Sequence, residues 1–81
     1  MVKKPNRKEP MHTQIVGIRL GGAIRSSMNT QKSLADLTGI NPVQISRWVH
    51  GHSMPSVRNM AKMLIVMPEI DARWLMGADW G

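Results

Sequence analysis

Between Asn41 and Gly51 the chain reads Asn-Pro-Val-Gln-Ile-Ser-Arg-Trp-Val-His-Gly. Within about two helical turns it offers a branched methyl surface (Val43), an amide (Gln44), a hydroxyl (Ser46), a guanidinium (Arg47) and an imidazole (His50). Those groups suit base edges in a DNA major groove, where arginine pairs bidentately with guanine and apolar groups meet the thymine methyl. They must then share one helical face. Asn41 is a strong N-cap residue, and Pro42 fits the first helical position, where its missing N–H costs nothing. Gly51 can adopt the left-handed conformation that ends a helix. At about 100° per residue, Ile45, Trp48 and Val49 share one side. Val43 and Arg47 lie opposite, flanked by Gln44, Ser46 and His50.

Other chemistries fit the chain poorly. His12, His50 and His52 raise the question of a metal. A His-x-His spacing across a helix end does not set two ligands on one helical face, and no cysteine or carboxylate lies nearby. No metal and no cofactor is expected, and His50 suits a backbone or phosphate contact that makes binding modestly pH-dependent. No Ser-His-Asp set, carboxylate pair or phosphate loop is visible, so the chain does not read as an enzyme.

Four further elements precede and follow this helix. An apolar stripe of Val16, Leu20, Ala23, Ile24 and Met28 predicts a first helix from Thr13 to Met28. Gly17, Gly21 and Gly22 each weaken it by about 0.5–1 kcal/mol relative to alanine. Thr30 can cap a second helix, Gln31 to Thr38, with Leu34, Leu37 and Thr38 inward and Gly39 as its stop. Ser56 can cap a helix from Val57 to Met67, whose core face is expected at Val57, Met60, Ala61, Leu64 and Ile65. Asp71 can cap a short fifth helix, Ala72 to Met76, stopped by Gly77. The expected architecture is all-α with five helices: a flexible basic arm over 1–12, one domain over 13–77 and a tail over 78–81.

The 81 residues carry 11 Lys and Arg against 5 Asp and Glu, a formal charge of +6. The excess lies in the arm and the middle of the chain, which marks them as the polyanion-facing parts. Arg19, Lys32, Arg58 and Lys62 read as largely solvated, with one or two meeting phosphates and Arg58 the first choice. There is no cysteine, no signal peptide and no stretch long enough to span a membrane, which suits the cytoplasm of a bacterial or phage-infected cell.

The series Gln31-x-x-Leu34-Ala35-x-x-Thr38-Gly39-Ile40, Ile45-Ser46-x-Trp48-x-x-Gly51, Pro55-Ser56 and Trp74-Leu75-Met76-Gly77 resembles the lambda-repressor/Cro-like (XRE-type) helix-turn-helix family. The resemblance covers about residues 14–77. It implies that the third helix lies in the major groove while the second crosses the backbone. Carried over by position, Pro42, Val43, Gln44 and Arg47 face base edges. Gln31, Lys32, Ser46, His50 and Arg58 are the expected backbone contacts. Proline at position 42 departs from the polar residue of many relatives, so specificity rests more heavily on Arg47. Several relatives join an arginine and a glutamate where this chain has Ile24 and Val49, which are expected to touch instead. The connection between Leu64 and Trp74 is longer than usual.

The implied function is a sequence-specific regulator of transcription, acting on double-stranded operator DNA as a homodimer. The short chain resembles a phage Cro-type repressor more than a two-domain one. Trp48 is expected in the core. Trp74 is expected in the core or as a dimer anchor, and Met63, Met67, Met76 and Trp80 as an apolar surface. The competing function is an antitoxin-like helix-turn-helix protein whose C-terminal apolar residues grip a partner protein.

Overall fold

The computed structural model describes residues 12–78. The tail residues Asp79 to Gly81, Trp80 included, and the arm up to residue 11 lie outside the described residues. Among the described residues the chain forms five helices and no strand: α1 (His12–Ser26), α2 (Gln31–Thr38), α3 (Pro42–Val49), α4 (Val57–Val66) and α5 (Ala72–Leu75). No helix of the described residues is long and apolar enough to cross a membrane.

Local chemistry sets the helix ends. Thr30 and Ser33 form a reciprocal capping box: Ser33 N–H donates to Thr30 Oγ1 at 3.0 Å, and Thr30 N–H to Ser33 Oγ at 2.8 Å. Each bond satisfies a backbone donor that has no partner within the helix. At the other end of α2, Gly39 takes φ 74° and its N–H reaches Ala35 O at 2.9 Å. Asn41 Oδ1 then accepts from Val43 N–H at 2.9 Å, and Pro42 opens α3. The two helices are thus closed and reopened within three residues. Ser56 and Asp71 cap α4 and α5 in the expected way.

The core is built from Leu20, Ala23 and Ile24 of α1, Leu34 and Ala35 of α2, Ile40 of the turn, and Ile45 and Trp48 of α3. Met60, Met63, Met67 and Leu75 complete it. Burying each large side chain contributes about 1.5–3 kcal/mol. Val49 packs against the cluster that contains Ile24, an apolar region at the two positions where the resemblance implies an ion pair in several relatives. The long connection after α4 is packed too: Met67 is fully buried, Ile70 lies against the core, and Ile70 N–H donates to Met67 O at 3.1 Å.

Four expectations are corrected. The first helix begins at His12, not Thr13, and stops at Ser26, so Met28 leaves the apolar stripe and is 92% exposed with φ 63°. Leu37 points to solvent, 64% exposed, because Leu34 and Ala35 already fill the crossing of α2 with the core. Helix α4 is rotated from its expected face. Met60, Met63 and Met67 face inward with Leu64 half-buried, while Val57 and Ile65 are 77% and 78% exposed and Ala61 is exposed. Methionine's unbranched chain reaches further into a gap than valine or alanine. The expected C-terminal apolar surface is therefore absent at Met63 and Met67, which are core, and Met76 is half-buried against that core.

Arg19 is the fourth correction, since it is not a solvated cation. Its guanidinium donates to Trp74 O at 2.6 Å and lies 5.1 Å from the Trp74 ring centroid. His12 Nε2 donates to Met76 O at 2.7 Å. Two side chains of α1 thus satisfy carbonyls at the end of α5, and a helix of four residues is held by its neighbour rather than by its own propensity.

Candidate nucleic-acid interface

The close approach of α1 positions α3. A Cβ placed on Gly17 would stand 2.5 Å from Trp48 O and 2.7 Å from Val49 O. Only a residue without a side chain lets the two backbones meet there. Helix α3 is thus clamped along its inner side by Ile45 and Trp48 and at its C-terminal end by α1.

The clamp leaves the outer side of α3 open. Pro42, Val43, Gln44, Arg47 and His50 are exposed and Ser46 is half-buried. Pro42, Val43, Ser46, Arg47, His50 and His52 line one open groove. A cation, two imidazoles, a hydroxyl and an apolar wall share this groove, with no carboxylate in its lining. Gln44 stands on the same helix outside that lining. Gln31 is half-buried at the first position of α2, Lys32 is exposed beside it, and Arg58 is exposed in the first turn of α4. The structure therefore brings together five of the expected base and backbone residues, Pro42, Val43, Ser46, Arg47 and His50, and leaves Gln31, Lys32 and Arg58 on flanking elements.

His52 is the residue that spacing alone did not select. Gly51, at φ 76°, turns the chain so that its N–H donates to Trp48 O at 3.0 Å. His52 N–H then donates to Arg47 O at 2.9 Å. This paired closure is a Schellman motif, and it folds the residue after the glycine back beside the helix end. The rings of His50 and His52 stack at a centroid distance of 6.3 Å and 23° between planes. The signal was present in the sequence as a glycine between two histidines at a helix end.

His50 is held on its other side as well. Its Nδ1 lies 2.7 Å from Ser46 O, with Ser46 Oγ at 3.4 Å. A carbonyl oxygen only accepts, so Nδ1 carries the hydrogen. Among the described residues no three His, Asp or Glu side chains converge on a metal position.

A family model described as helix-turn-helix matches residues 24–75, more than half of the chain. No curated protein and no solved structure matches the chain.

Proposed function

The chain belongs to the lambda-repressor/Cro-like helix-turn-helix family of DNA-binding transcription regulators, and on that premise we propose that it is a Cro-type repressor reading operator half-sites with α3 in the major groove. The observation that carries this reading is the outer face of α3. A rigidly seated helix exposes Val43, Gln44 and Arg47 opposite buried Ile45 and Trp48. Arg47 pairs bidentately with a guanine, worth about 1–3 kcal/mol of discrimination. Val43 meets a thymine methyl, Gln44 adds a weaker contact, and Pro42 offers only apolar surface to the first base step. Gln31, Lys32, Ser46, His50 and Arg58 fix the register through phosphates, which position the protein without specifying sequence.

A single short helix reads few bases, so the operator in this reading is two-fold symmetric and bound by a homodimer. Occupancy of the operator excludes polymerase, in the cytoplasm of a bacterial or phage-infected cell. The competing reading, an antitoxin-like protein gripping a partner through C-terminal apolar residues, keeps Trp74, which is 39% exposed, but not Met63 and Met67, which are fully buried.

Amide NMR of the protein titrated with duplex DNA tests the placement. The largest shift changes are expected at residues 43, 44, 47 and 50, with smaller ones at 31 and 58. Changes centred on α5, with α3 unmoved, would overturn it.

A further inference from the structure

We propose that His50 and His52 form a two-imidazole site for one backbone phosphate, and that DNA binding by this chain takes up protons there. The inference rests on the DNA-reading function above and adds a residue, His52, and a regulating variable, pH. Three observations carry it. The rings stack at 6.3 Å and line the same groove as Arg47. The His50 Nδ1 hydrogen is committed to Ser46 O at 2.7 Å. The Schellman closure through Gly51 fixes the backbone of His52, whose N–H is bound to Arg47 O.

The second observation makes protonation a requirement for donation. With Nδ1–H bound to a carbonyl, the neutral His50 ring has only a lone pair at Nε2. A lone pair repels a phosphate oxygen. His50 becomes a phosphate donor only by adding a proton at Nε2, as imidazolium. Histidine is the side chain whose charge ordinarily changes between about pH 5 and 8. A phosphate seated against both rings carries negative charge and so favours their imidazolium forms. The charged group that lines the groove with them is Arg47, from α3 itself. Helix α1, packed behind the turn, faces Gly51 with the neutral Gln14.

The sign follows from linkage. Phosphate favours the charged imidazoles, so the complex binds more protons than the free protein and affinity falls as pH rises. The test is the affinity of a fluorescein-labelled duplex, recovered by selection from random sequences, at constant ionic strength from about pH 6 to about pH 8. Wild type is compared with His50→Asn, His52→Asn and the double variant. Asparagine at position 50 keeps a donor for Ser46 O and removes Nε2. Wild-type affinity is expected to fall on the order of a hundredfold across that range, each single variant on the order of tenfold, and the double variant within about twofold. Circular dichroism of each variant checks that the fold is retained. A flat wild-type profile with selective binding intact would overturn the histidine site and leave the DNA reading standing. A double variant that keeps the wild-type slope would place the protons elsewhere and overturn it too. Failure of any duplex to be selected at any pH would overturn both.

Discussion

Met28 closes α1 by the same hydrogen-bond pattern that Gly51 and Gly77 use to close α3 and α5, but with a side chain. Its N–H donates to Arg25 O at 3.1 Å, and Asn29 N–H to Ile24 O at 3.0 Å, with Met28 at φ 63°. A Cβ in that conformation costs about 1–2 kcal/mol. Part of the relief is offset by glycine's greater freedom in the unfolded chain. Met28→Gly is therefore expected to stabilise the fold by about 0.5–1 kcal/mol, read as a higher urea midpoint with an unchanged slope. An unchanged or lower midpoint would show that the strain is relieved in some other way. Met28 also marks the limit of sequence reading at single residues. Its spacing from Ile24 fits a helical stripe, and nothing in its type announces that the helix has already ended. Asn41, Pro42 and Gly51 were legible because capping, fixed φ and positive φ each demand a particular residue type. His52 was not, because its place depends on a turn that moves it off the helical wheel.

Between elements, the crossing of α1 and α3 is the contact that seats the proposed reading face. Gly17→Ala drives a methyl into the backbone carbonyls of Trp48 and Val49 and is expected to cost about 1–3 kcal/mol. Gly22→Ala meets nothing nearer than Arg25 Nη2 at 4.0 Å and is expected to add about 0.5–1 kcal/mol through helix propensity. Thermal or urea unfolding of the two variants checks the contrast, and equal effects would contradict the crossing. The three glycines look alike in sequence, where each merely weakens a helix. Only the packing separates the one that admits a neighbour from the one that faces outward. The existence of the five helices was readable, as were the N-caps of α2 to α5, because Thr30, Asn41, Ser56 and Asp71 precede apolar periodicity. The rotation of α4 was not. Apolar residues run almost all round it, so Val57, Met60, Ala61, Leu64 and Ile65 fit a stripe as well as Met60, Met63, Leu64 and Met67 do. The choice was made by packing against α2 and the core, which one helix's periodicity does not contain.

For the whole molecule, the proposed function assigns attraction to any duplex to the formal charge of +6 and the flanking cations, and selection to α3. These separate experimentally. Arg58→Ala is expected to weaken binding evenly across sequences and to reduce the slope of log affinity against log salt by about one, with the selected motif unchanged. A changed motif would move Arg58 into base reading. Sedimentation of the selected complex is expected to give two chains per duplex, and a single chain on a two-fold site would remove the homodimer from the account. The central claim is that α3 reads bases through Arg47. Its most direct test is selection of binding sites from a random duplex pool by wild type and by Arg47→Ala, in parallel at one fixed salt. The account predicts a two-fold symmetric motif containing a guanine that wild type requires and the variant no longer distinguishes. Its relative affinity for the guanine site should fall by about 1–3 kcal/mol. A motif identical for both proteins, or binding without enrichment that disappears on adding salt, would contradict it.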